Sequence, residues 1–82
     1  METIEAISTL RLIQKRLDQL EARIEAKHVS PMEGIIELMN SFEVVAGLHR
    51  QLDYNLGCYD INDRIGQLME RLELLRLAEV RG

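Results

Sequence analysis

Residues 29–60 read VSPMEGIIELMNSFEVVAGLHRQLDYNLGCYD, and this stretch decides the fold. It opens with Ser30-Pro31-Met32-Glu33, a helix start written in side-chain chemistry. Ser at the N-cap accepts an orphan N–H of the first turn, and Glu three residues on reaches back to the cap. Pro at the first helical position gives up an N–H that would have had no partner. From Pro31 onward, Ile35, Leu38, Phe42, Val45, His49, Leu52, Leu56 and Tyr59 follow helical spacing as one apolar seam. Ile36, Met39, Val44 and Leu48 spread over the rest of the circumference. A surface helix has one apolar stripe and a polar back. This one reads as a helix wrapped by other helices or by a second copy of itself.

Charge sharpens the contrast. The stretch carries Glu33, Glu37, Glu43, Asp53 and Asp60 against Arg50 alone, which accounts for the whole formal net charge of −4. The flanks are balanced, with five acids and five bases over 1–28 and four of each over 61–82.

Before the break, Ala6, Leu10, Ile13, Leu17, Leu20 and Ile24 are spaced 4-3-4-3-4, the a/d seam of a heptad. Arg11, Lys15, Arg16, Asp18, Glu21, Arg23 and Glu25 fill the gaps. After it, Gly57 suits a left-handed C-cap and Asp60 a new N-cap, with Asp63 close behind. Ile61, Ile65, Leu68, Leu72 and Leu75 then form a third stripe, out of register with the second. A single helix from Pro31 to about Glu79 is the rival reading; a break or kink near Gly57 is preferred. Gly34 and Gly47 lie inside the second helix, where glycine costs about 1 kcal/mol against alanine. They suggest places where another backbone comes close.

The expected fold is all-α: a helical hairpin or three-helix bundle with helices over about 3–27, 31–56 and 61–79. It is read as a single domain that associates as a coiled-coil-like homodimer. Composition agrees, since 46% of the 82 residues are hydrophobic with one Phe, two Tyr and no Trp, so the apolar content is aliphatic. No apolar run is long enough for a membrane span or a signal-peptide core. One cysteine excludes an intrachain disulfide framework and points to a reducing, cytoplasmic setting.

The chain offers little chemistry. His49, on the second seam with Asp53 one turn on, is the candidate polar seam or ligand pair, since an imidazole beside a carboxylate can act as base, ligand or switch. A His–Asp pair fixing the register of a seam is the plainer account. Glu25-Ala26-Lys27-His28 has the Glu-x-x-His spacing of di-iron bundles but occurs once. The acids from Asp60 lack the glycine and terminal glutamate of a calcium loop. Cys58 has no cation near it in sequence to hold a thiolate. No metal and no cofactor is expected.

Enzymatic activity is not expected either: a small helical enzyme holding a dianion needs several cations on facing helices, and the middle helix has only Arg50. The acidic balance opposes direct nucleic-acid binding. Arg64, Arg71, Arg76 and Arg81 on the third helix interleave with acids and read as solvated ion pairs.

Association remains. The sequence is read as a non-catalytic protein–protein interaction module, an adaptor, small chaperone or regulator, working through Ile36, Met39, Val44 and Leu48. Its partner would be itself, or a second helical protein, and no membrane. Met32, Met39 and Met69 suit an adaptable surface. The alternatives are a metal- or small-ligand-binding helical dimer using His49 and Asp53, and a nucleic-acid-associated regulator.

Overall fold

The computed structural model describes residues 3–51 and 57–81. They form three helices, α1 (Thr3–Glu25), α2 (Pro31–Gln51) and α3 (Cys58–Arg81), with no strand among them. The helices run up, down and up in an elongated body of 47 × 19 × 16 Å. α2 and α3 form the closest pair, and α1 lies across both.

α1 follows its heptad. Ala6, Leu10, Ile13, Leu17, Leu20 and Ile24 are all buried, and the charged positions between them are not. The helix ends at Glu25, two residues short of the expectation. The Lys27 N–H donates to the Ile24 carbonyl (3.1 Å) and the His28 N–H to the Arg23 carbonyl (2.9 Å), while Lys27 takes φ +60°. This is a Schellman closure, which satisfies two late carbonyls by turning one residue left-handed. Lysine rather than glycine fills that position, so the sequence carried no cue to it.

α2 begins at Pro31 as read. The Gly34 N–H donates to the Ser30 carbonyl at 3.0 Å, the first bond of the helix. Along it Ile35, Leu38, Val45 and Leu48 are buried with Pro31 and Gly34. The expected seam is therefore corrected by a rotation about the helix axis. Phe42 is half exposed, His49 is half-buried and Tyr59 is exposed, while Leu48 turns inward to 3% exposure. Ser41, between Leu38 and Val45 on the inner stripe, faces α1. Leu52 and Leu56 lie outside the described residues, so the expected run of the second helix to residue 56 is described only as far as Gln51.

A glycine stands directly before α3. Gly57 has φ +88°, a backbone state open to glycine without steric cost. Its carbonyl accepts the Ile61 N–H at 3.1 Å. α3 therefore starts at Cys58, three residues ahead of the expectation, and Asp60 sits inside the first turn near the positive helix end. The early start puts the Cys58 side chain in the core beside Ile61, Ile65, Leu68 and Leu72, with Leu75 partly buried at the far end. The chain thus makes two helices here rather than one.

Ion pairs set α1 against its neighbours. Arg64 reaches Asp18 (2.6 Å) and Glu21 (3.7 Å), and Arg71 reaches Glu21 (3.6 Å). Arg23 pairs with Glu37 of α2. The α3 arginines are thus not all paired along their own helix; among the described residues Arg76 is, with Glu73 at 2.9 Å. All are partly exposed and worth at most about 1 kcal/mol each, so they fix register more than they add stability.

The two glycines of α2 part company. A Cβ on Gly34 would lie 2.7 Å from Cδ1 of Leu72, so α3 packs a leucine onto bare backbone there. A Cβ on Gly47 would meet only the Arg50 guanidinium, at 4.0 Å, which corrects the expectation of a close approach. The two alanine substitutions should then act with opposite sign. Gly34→Ala is expected to destabilise by about 1 kcal/mol, because overpacking against buried Leu72 outweighs the gain in helix propensity. Gly47→Ala is expected to stabilise by about 0.5–1 kcal/mol. In thermal unfolding the midpoints should move apart by about 4–8 °C or more, Gly47→Ala melting higher.

Candidate interaction surface

With α1 and α3 covering two sides of α2, the rest of its circumference faces outward. Met32, Ile36 and Met39 recur at helical spacing on one side, and Ile36 and Met39 are both 53% exposed. Phe42 adjoins them, and Val44 projects on the opposite flank, toward α1. Isolated exposed hydrophobic residues are ordinary on a protein surface, but a contiguous set on one helix is not.

Two grooves run along α2. The first, of about 420 Å³, lies between α1 and α2, with Leu12, Val44 and Ser41 among its walls and Arg16 and the Arg23–Glu37 pair at its edge. It exists because Ser41, a small residue, occupies a position on the inner stripe. The second, of about 440 Å³, lies between α2 and α3. Met39, Phe42 and Glu43 form one wall; Asn62, Ile65, Gly66 and Met69 form the other. A Cβ on Gly66 would meet nothing within 4 Å, so the wall there is open backbone. Asn62 Oδ1 is buried at the groove and has no hydrogen-bond partner among the described residues.

The four residues expected to bind a partner are therefore divided by the structure. Ile36, Met39 and Val44 are exposed, Met39 on the second groove and Val44 on the first. Leu48 belongs to the core, so its expected exposure is corrected: the inward rotation of α2 gives it the place assigned to His49. The His49 ring instead meets Tyr59 edge-on, with centroids 4.8 Å apart and planes at 71°, bridging α2 and α3 near the turn. Asp53 lies outside the described residues. Glu25 and His28 are both exposed at the end of α1. Among the described residues no group of three or more His, Cys, Asp and Glu side chains comes together as a metal site. No described helix is long and apolar enough to cross a membrane.

Sequence reasoning missed Phe42 and Gly66 as surface residues, while it reads Met69 as suited to an adaptable surface. Phe42 was absorbed into the seam, where a large aromatic would ordinarily sit. Gly66 offered a usable signal, since a glycine inside an otherwise strong helix asks for a reason.

Comparison with protein families, curated proteins and solved structures returns no match to this chain.

The division between core and surface is measurable. Leu48→Glu puts a carboxylate into a closed apolar site and is expected to cost about 3 kcal/mol or more, enough to abolish the cooperative fold of so short a chain. Phe42→Glu and Met39→Glu should leave helix content unchanged and stability within about 0.5 kcal/mol. Circular dichroism with urea titration separates the two classes.

Proposed function

We propose that the chain is a non-catalytic interaction module whose docking surface is the outward face of α2 together with the groove between α2 and α3. The observation that carries this reading is the contiguous set Met32, Ile36, Met39 and Phe42, exposed beside an open groove to which Met69 contributes. Burying such a set releases about 25 cal/mol for each Å² of apolar surface removed from water. Methionine on both walls lets the groove adapt to the side chains it receives. Adaptor, small chaperone and regulator are roles consistent with a surface of this kind.

Two occupants would satisfy it. A second copy of the chain related by a two-fold axis would bury the face against itself, giving a homodimer. A helix of another protein would lie in the groove with its apolar side down.

Molar mass by light scattering over a wide concentration range, followed by titration with amphipathic helical peptides, tests the reading. The expected result is association, either to twice the 9.5 kDa chain mass or with a peptide. Gly66→Gln should remove it while preserving the fold, because glutamine favours the helix by several tenths of a kcal/mol over glycine, about 0.5–1. Its side chain would occupy the open groove. A chain that stays at 9.5 kDa throughout and takes up no peptide would overturn the reading.

A further inference from the structure

We infer that the occupant of the α2–α3 groove is a basic amphipathic helix of another protein, an inference that rests on the docking surface proposed above. The argument is one of charge. Glu43 is the one charged residue among those lining the groove, and it is exposed. On α3, the i, i+4 stripe Asn62–Gly66–Glu70 carries the groove wall into a second exposed carboxylate. Neither Glu43 nor Glu70 has an ion-pair partner among the described residues. Of the cations nearby on α3, Arg64 and Arg71 turn toward α1 and Arg76 is held by Glu73, while Arg50 lies about two turns beyond Glu43 on α2, outside the groove lining. The groove is thus mostly apolar, with the Glu43 carboxylate in its lining and Glu70 one turn beyond Gly66 on α3.

That pattern selects among occupants. A two-fold dimer centred on the groove would gather two copies of Glu43 and two of Glu70 at one interface, with no cation from the groove lining between them; like charges so placed cost association energy. The outward face of α1 from a second copy would bring the right charge in Arg11 and Lys15, which have no ion pair among the described residues. It would bring only Ile4 and Leu12 to fill the groove, set among Ser8, Arg11, Lys15, Gln19 and Ala22. A separate helix with leucine-like residues on one side and Lys or Arg beside them meets both demands. Its side chains would enter between Met39, Phe42 and Met69, and its cations would reach Glu43 and Glu70.

The probes are two helical peptides of equal length, one built of Leu and Lys and one of Leu and Glu, titrated against the full chain by fluorescence anisotropy at low and moderate salt. The Leu/Lys peptide is expected to bind about tenfold or more tightly than its counterpart, the sum of two ion pairs of surface strength. Adding salt should narrow the gap. Glu43→Lys with Glu70→Lys should reverse the preference. Glu5→Lys with Glu25→Lys makes the same change in net charge on α1 and should leave the preference in place. Gly66→Gln should weaken both peptides. Equal affinity for the two peptides, or a preference that follows net charge in both double variants, would overturn the basic partner while leaving the docking surface intact. Uptake of neither peptide by a chain that dimerises would overturn it in favour of the second copy. Uptake of neither by a strict monomer would remove the docking surface as well.

Discussion

The packing of Leu72 onto the bare backbone of Gly34 governs how the bundle is put together. A Cβ at that point would have to push the Leu72 side chain aside, move α2 from α3 or turn it about its axis. Without one, α3 closes on the first turn of α2, and the rotational setting of α2 follows. Gly34, Leu38, Val45 and Leu48 then share the inner stripe, with Ser41 among them facing α1. The same setting carries Phe42 and Met39 outward to the edge where α2 meets α3. Core and groove are two consequences of one contact, since rotating α2 to bury Phe42 would expose Leu48.

This explains which parts of the fold could be read from residues alone. The seam of α1 was legible because charged or polar residues occupy most positions outside it, leaving one orientation with an apolar face. The start of α2 was legible because Ser30-Pro31 leaves few other conformations open. The orientation of α2 was not. Its apolar residues surround so much of the axis that a seam through Phe42 and His49 and a stripe through Leu48 satisfy the same local rules. What decides between them is a partner thirty-eight positions away, Leu72 against Gly34, and helical spacing carries no information about that. The start of α3 failed for a related reason: Asp60 is a good cap in isolation, but Gly57 at positive φ stands directly before the helix, which starts at Cys58 and takes that side chain into the core.

The candidate surface was half legible on the same grounds. Ile36, Met39 and Val44 lie away from any setting of the inner stripe, so either orientation leaves them outside. Leu48 and Phe42 exchange places between the two. The charge of the groove was harder to see, because residues 61–82, most of α3, carry equal numbers of acids and bases. Its asymmetry appears only in three dimensions, once Arg64 and Arg71 reach across to Asp18 and Glu21. Those pairs hold α1 in register, and they leave the opposite side of α3 to its carboxylates.

Gly34 and Gly66 bring the two themes together. Both are glycines inside helices, where each costs about 1 kcal/mol or somewhat less against alanine. At Gly34 the missing Cβ is filled by a leucine of the same chain. At Gly66 the missing Cβ faces open space in a groove lined by two methionines and a phenylalanine, with the Glu43 carboxylate among them. Within the fold, nothing recovers the cost of that second glycine; alanine would hold the helix better and clash with nothing. Under the proposed reading the two positions have the same physical purpose, close approach of a side chain to backbone. They differ in where that side chain comes from. At Gly34 it is supplied by α3, and at Gly66 it would be supplied by the docked helix, whose apolar residues could pass close to α3 only where no Cβ stands in the way.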